Sequence, residues 1–468
     1  MSISSSMYTG MSSLFCLGKK MAMLGDNIAN ISTTGFRGSQ VSFEDVLLEA
    51  TNTGGVKISP MGLTSDFSRE GAAESSHTAT NMAISGDGFF ILRDKDDTSS
   101  TYYTRAGEFS FDADGYLVNP AGHVVQGYGF DNQGTETTTL ADIQLELTTP
   151  AATVDNPDPA PRLVSSPSPS TRLTVTCNVD ARSQDNSPGG LFAKWDATNA
   201  EPISLNDYEL RAGHDIYDSS GDKHLIEVYY DRDIGQGDNV WEYLVTASPD
   251  GTGSASDEGV LARGTITFDS YGYINAMTIE NYQGGGWTAG TINNNGYLTF
   301  QTSFAGAGTI ELDVGATYVN GPWQRDTQTT TQFGYGSYTK FSNTDGYGEG
   351  DLTDFSITSD GIIRARFDNS VISDLFRVVL ANSIDPSSRL QRIGSTLYQA
   401  DSENEDLITG IPGSSGLGTI IGDSLERSNV DLVEQFGELI FTQRALQANA
   451  KGIVAADEMI KTAMGLKR

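Results

Sequence analysis

From Met7 to Ile31 the chain reads MYTGMSSLFCLGKKMAMLGDNIANI. Positions 7, 10, 14, 17, 21, 24, 28 and 31 of this stretch alternate steps of three and four, and they hold Met7, Gly10, Leu14, Leu17, Met21, Leu24, Ile28 and Ile31. Seven of these eight are apolar. A sustained three-four alternation is the seam of a coiled coil, and this one predicts a helix roughly 40 Å long. The opposite end repeats the spacing with Leu432, Phe436, Leu439, Gln443, Leu446, Ala450, Ile453, Asp457 and Ile460, seven of nine apolar. An amphipathic helix packed on a globular core has the same period. Position favours the seam reading, because the two stripes sit at opposite ends of a chain whose middle is strand-like.

Working inward, proline divides the sequence. None of the 14 prolines stands before Pro60 or after Pro412, which leaves both ends free of the strongest helix breaker. Six fall from Pro150 to Pro169 in a stretch poor in large apolar side chains, predicting a linker over 151–170. All four tryptophans, Trp195, Trp241, Trp287 and Trp323, follow it. They predict an aromatic-cored β domain over 171–329, inserted between the halves 75–150 and 330–427 of another. Terminal helices then take 1–35 and 428–468, and an extended or hairpin segment takes 36–74. Period-two runs at Arg172–Val179, His224–Asp231, Val240–Ser248 and Tyr297–Phe304 read as half-buried strands. A turn recurs as FDADGYL at Phe111–Leu117, FDSYGYI at Phe268–Ile274 and ITSDGII at Ile357–Ile363, each with glycine where a tight hairpin needs positive φ. The fold class is α+β and multidomain, with terminal coiled-coil-like helices and nested, mainly antiparallel β domains.

Charge excludes several functions. The chain has 29 Lys and Arg against 61 Asp and Glu, a net charge of −32, which repels phosphate backbones and anionic membranes. Nucleic acid is excluded as a partner, and apolar runs of only a few residues exclude membrane insertion by a helix. The charge is uneven: residues 1–50 sum to −1 and 430–468 to 0, leaving −31 on 51–429. Neutral ends pack densely beside copies of themselves, whereas an acidic middle suits solvent. Four histidines form no metal-binding spacing, and no nucleophile elbow, Walker A loop or dinucleotide fingerprint occurs. Two loops begin like calcium sites. The one from Asp112 has His123 at its twelfth position, and the one from Asp231 reaches Glu242 but has Gln236 where glycine is needed. Both read as surface turns, so no catalytic residue, metal or cofactor is assigned. The first twenty residues lack the basic start and apolar run of a cleaved secretory signal. Cys16 and Cys177 lie in dissimilar segments and form no disulfide framework.

Five segments carry a family resemblance: LGDNIANISTTGFRGSQVSFED (Leu24–Asp45), NMAISGDGFFIL (Asn81–Leu92), YTRAGEFSFDADGYLVNPAGHVVQGY (Tyr103–Tyr128), GLGTIIGDSLERSNVDL (Gly416–Leu432) and the stretch Ser428–Arg468. In this order they resemble the rod and hook axial proteins of bacterial flagella, over roughly 1–140 and 335–468. The insertion, about 180 residues long, resembles the hook type rather than the shorter rods. The resemblance implies a helical homopolymer, a hollow bendable tube that serves as a universal joint between motor and filament. It implies terminal helices lining the tube, with Met7, Leu14, Leu17, Met21, Leu24, Ile28, Ile31, Leu432, Phe436, Leu439, Leu446, Ala450, Ile453 and Ile460 as the self-assembly interface. Asn27, Asn30, Thr34, Gly35, Phe36, Asn429, Val430, Asp431, Gln443, Arg444 and Asn449 match the family's terminal motifs. Implied partners are the distal rod, the hook cap, the hook–filament junction proteins and the flagellar export apparatus, with an extracellular location reached without a cleaved signal. Two alternatives stay open: a distal rod protein, and a β-rich surface adhesin whose tryptophans stack on carbohydrate.

Overall fold

The computed structural model describes residues 3–47, 56–95, 97, 100–131, 134–149, 160–248, 256–302, 308–394, 396–400 and 407–465. The chain forms two compact units, one of Met1–Leu163 with Leu352–Arg468, the other of Val164–Asp351.

In the first unit the terminal stripes are helices, α1 at Ile3–Ala29 and α2 at Leu432–Gly465. Asp431 caps α2 by accepting the amide hydrogens of Val433 and Glu434 on Oδ1 at 2.8 and 3.1 Å, as an N-cap carboxylate should. After α1 the chain runs into an antiparallel hairpin of β1 (Ser39–Leu47) and β2 (Val56–Ser65). Its ladder skips between Ser42 and Phe43, where Pro60 faces Phe43; proline has no amide hydrogen to give a regular ladder. The β domain beyond is an antiparallel array in the spatial order Gly350–Ile357, Ile362–Phe367, Ile372–Val378, Val124–Gly129, Phe89–Arg93, Thr101–Thr104, Leu397–Ala400 and Leu390–Gly394. Its core gathers Met82, Ile84, Phe90, Leu92, Val125 and Leu380.

The second unit packs two sheets on one core. One has the order Leu210–Tyr217, Lys223–Arg232, Val240–Ala247, Val260–Phe268, Glu280–Gln283 and Gly286–Ala289. The other is centred on Arg172–Asp180. Leu173, Val175, Cys177 and Val179 on the central strand meet Ile226, Val228, Tyr230, Trp241 and Tyr243 from the first sheet, the alternation expected of strands buried on one face. Burial pushes the Cys177 thiol up to about 12, so it is a packing residue at neutral pH.

The unit boundaries differ from the sequence expectation. The inserted unit spans 164–351 rather than 171–329, because Thr331–Phe333 and Tyr338–Thr344 both pair with Arg172–Asp180. The expected linker 151–170 begins outside the described residues; its later part is structured, Arg162 bridging Thr148 and Val164–Ser165 pairing with Gly350 and Asp351. The 36–74 segment is the β1–β2 hairpin, and Ala73–Ser75 adds a short pair with Ser424–Glu426.

The three repeated turns share one construction. Gly115, Gly272 and Gly361 have φ of 84°, 81° and 82°, and each donates its amide to the carbonyl three residues before, of Asp112, Asp269 and Thr358. The side-chain oxygen of that first residue accepts the amide of the residue after glycine, from Tyr116, Tyr273 and Ile362. A short polar side chain followed three residues later by glycine is thus a self-sufficient hairpin tip. Asn119–Gly122, Asp218–Gly221 and Asn293–Gly296 use it again.

Candidate functional site

The helices α1 and α2 run antiparallel against each other. Asn27 Nδ2 donates to Gln435 Oε1 at 3.0 Å, Lys20 pairs with Glu438, and Asn449 Nδ2 donates to Ser13 Oγ at 3.1 Å. A Cβ on Gly10 would lie 3.0 Å from Ile453 Cγ1. Two columns on α2 follow from these contacts. Gln435, Thr442, Asn449 and Ala456 recur every seven residues, beside Leu439, Leu446, Ile453 and Ile460, and Thr442 and Ala456 are buried. On α1, Ser13, Lys20 and Asn27 form the matching polar column. Of the expected interface residues, Leu24 is buried. Met7, Leu14, Leu17, Met21, Ile28, Ile31, Leu439, Leu446, Ala450, Ile453 and Ile460 are half-buried, and Leu432 and Phe436 are exposed.

A second apolar set faces out. Phe15 is 62% exposed and Phe441 70%, accompanied by Met11 on α1 and by Val433, Ile440, Val454 and Met459 on α2. A water-filled exterior gives such side chains no favourable partner.

The root of the helix pair is held by polar contacts among short segments. Gly35 has φ 64°, and a Cβ there would stand 2.3 Å from the Ala106 amide nitrogen; only glycine fits both demands. Its own amide donates to the Glu426 carbonyl at 2.7 Å. Arg37 and Glu426, both about 1% exposed, form an ion pair at 2.6 Å, and Arg105 approaches the other Glu426 oxygen at 3.5 Å. Gly71 also donates its amide to Glu426, Arg37 donates to the Arg69 carbonyl at 2.6 Å, and Arg105 to the Gly86 carbonyl at 2.8 Å. Burial, and then the neighbouring Arg37, bring the Arg105 guanidinium down to about 10. Asn429 Oδ1 accepts from Gly38, while its Nδ2 donates to the carbonyls of Asp66 and Arg69. Asn27 clamps Ser39 in both directions, Asn30 Nδ2 donates to the Asp26 carbonyl at the end of α1, and Thr34 donates to Glu108. Phe36 is buried under the Arg392 guanidinium, 4.4 Å from the ring centre. Val430 lies against Gly38, and Gln443 and Arg444 are exposed. The sequence reading did not single out Arg37, Arg105 or Glu426, although each sits inside a quoted segment. Gly35→Ala is expected to cost more than 2 kcal/mol, from strain at positive φ plus a backbone clash, read as a lowered midpoint in urea with helix content as the signal.

Other candidates resolve into structure. Among the described residues no three metal-ligating side chains cluster, and no helix is long and apolar enough to cross a membrane. Asp112 and Asp114 both pair with Lys95. Trp195 and Trp241 are core residues, Trp287 packs with Phe192 and Tyr282 under Arg263, and Trp323 packs on Tyr318.

Comparison with known proteins follows the same division. Four family models match in chain order: Flagella basal body rod protein over 7–37, Flagellar hook protein FlgE/F/G D1 domain over 83–157, Flagellar basal body protein FlaE D2 domain over 178–347, and Flagellar basal body rod FlgEFG protein C-terminal over 422–466. The flagellar hook protein FlgE of Treponema pallidum is 28% identical over 99% of both chains, and that of Borreliella burgdorferi 29% over 99% of both. The chain belongs to the flagellar hook proteins. That of Salmonella typhimurium is 26% identical over 97% of this chain and 98% of its own. As a hook protein the chain is a structural subunit of the bacterial flagellum, and neither the distal rod nor the adhesin alternative is favoured. The FlaE D2 match falls inside the hook protein's inserted unit, and both ends of the chain, which carry the rod-type matches, fall in the unit that holds α1 and α2.

Proposed function

We propose that this hook protein polymerises through α1 and α2 into a hollow, bendable tube outside the cell, and that the tube transmits motor torque to the filament as a universal joint. The observation that carries the proposal is the pairing of both chain ends in one antiparallel couple that still leaves Phe15, Val433, Ile440 and Phe441 facing water. One face of the couple is satisfied within the subunit; the other needs neighbours. Burying each such side chain contributes about 1.5–3 kcal/mol, repeated at every lattice contact. Twelve of the fourteen seam positions contribute to assembly by holding α1 and α2 in the geometry that presents this outer face; Leu432 and Phe436, which are exposed, join that face. The inserted unit supplies outer surface whose contacts slide when the joint bends. Distal rod, hook cap, hook–filament junction proteins and the flagellar export apparatus are the partners this role requires.

Electron microscopy of the purified chain tests this: concentration-dependent tubes are expected. Deletion of 164–351, joining two ends that already pair, is expected to leave tubes with altered curvature or stiffness. Complete loss of assembly in that deletion, with the terminal unit still folded, would refute the division of labour.

A further inference from the structure

In the inserted unit, the hairpin of Lys223–Arg232 and Val240–Ala247 sets Asp231 directly opposite Glu242. Like charges in that relation repel, and Asp231 is completely buried. Between them stands Ser187, whose Oγ is 2.5 Å from Asp231 Oδ2 and 2.6 Å from Glu242 Oε1. A hydroxyl has one hydrogen to give. If it goes to one carboxylate, the other short oxygen–oxygen contact needs a hydrogen from the second carboxyl. The surroundings decide which carboxyl keeps it. Burial raises the Asp231 carboxyl as well, but it accepts the amides of Asn186 and Ser187 at 2.9 and 2.7 Å and Asn186 Nδ2 at 3.0 Å, donors that favour an anion and offset part of that rise. Glu242 accepts one amide, from Leu191 at 2.9 Å. Burial pushes it up to about 7, with Asp231 and Asp233 adding to the rise. Nothing nearby compensates: the Arg232 guanidinium is turned to the carbonyls of Ser183 and Asp238, Thr265 is opposite Glu242 on the next strand, and Gly190 backs the Glu242 carboxyl. Among the described residues neither carboxyl has a cationic partner.

We propose that Asp231, Ser187 and Glu242 form a proton-dependent latch that pins the segment 184–194 to the sheet of the inserted unit and loosens as the surroundings turn alkaline. With the segment closed, Glu242 donates to Ser187 Oγ and Ser187 donates to Asp231. With it open, Glu242 is solvated and returns to its ordinary carboxyl range. Below about pH 4.5 both states hold the proton and the latch is at full strength. From there to about pH 7 only the closed state holds it, so the closing constant falls about tenfold per pH unit. Above pH 7 the dependence is flat.

Hydrogen exchange of the full chain tests the latch at the amides of Asn186, Ser187 and Leu191, after division by the intrinsic chemical rate. Protection is expected to fall on the order of a hundredfold from pH 5 to pH 7, while core amides of Val240–Ala247 stay level. Glu242→Gln retains a donor to Ser187 and is expected to abolish the slope. Asp231→Asn removes the opposing charge and is expected to reduce it. A slope unchanged by either substitution, or none in the parent chain, overturns the proposal. So does infrared spectroscopy at pH 6 that finds no protonated-carboxyl band lost on Glu242→Gln.

Discussion

Glu426→Ala is expected to destabilise the terminal unit by about 3–5 kcal/mol, because it strands two buried guanidinium groups, those of Arg37 and Arg105, without a counter-charge. It also removes the acceptor for the Gly71 amide. The effect should be confined to one unit, and the protein supplies its own probe: all four tryptophans lie within Val164–Asp351. In urea, the helical circular dichroism signal, which comes almost wholly from α1 and α2, should move to lower denaturant while tryptophan fluorescence keeps its midpoint. The combined variant Arg37→Met, Glu426→Leu, Arg105→Met should lose much less than Glu426→Ala, since a buried ion pair replaced by apolar side chains is often close to neutral. If Glu426→Ala leaves the helical transition in place, the triad does not hold the helix root.

That triad shows where sequence reading stops. Arg37, Arg105 and Glu426 come from three distant segments, and no spacing links them; only the turn at Gly35 and the pairing of Ala73–Ser75 with Ser424–Glu426 bring them together. The helices were legible because a three-four period is a property of local sequence. Their facing columns were not, because half of the contact is polar. Gln435 and Asn449, which meet Asn27 and Ser13, lie off the apolar stripe, one position from Phe436 and Ala450. The hairpin tips were legible for the opposite reason, since an Asp, Asn or Thr with glycine three residues on closes its own hydrogen bonds. The end of the inserted unit was misplaced because tryptophan stops at Trp323, whereas the strands pairing with Arg172–Asp180 continue to Thr344. Asp231 and Glu242 stand at the first and twelfth positions of a calcium-type loop in sequence, but hairpin register makes them cross-strand neighbours.

The two faces of the helix pair predict opposite outcomes for the same chemical change. Aspartate at Leu17 or Leu446 puts a charge on the side where α1 and α2 meet, so the helical transition should fall by several kcal/mol and tubes should be lost with it. Aspartate at Phe15 or Phe441 adds charge where the subunit already faces water. The monomer's unfolding should then shift by no more than about 0.5 kcal/mol, yet assembly should suffer as much. Removing both rings forfeits about 3–6 kcal/mol per subunit if each is buried by a neighbour, which raises the concentration needed for tubes by about two to four orders of magnitude. Sedimentation of the double variant Phe15→Asp, Phe441→Asp beside the parent chain reads this directly. Tubes forming at the parental concentration would mean that the exposed rings have no neighbours in the lattice. Loss of tubes together with loss of helix content would mean that these rings stabilise the subunit itself, and the separation into an inward and an outward face would fail.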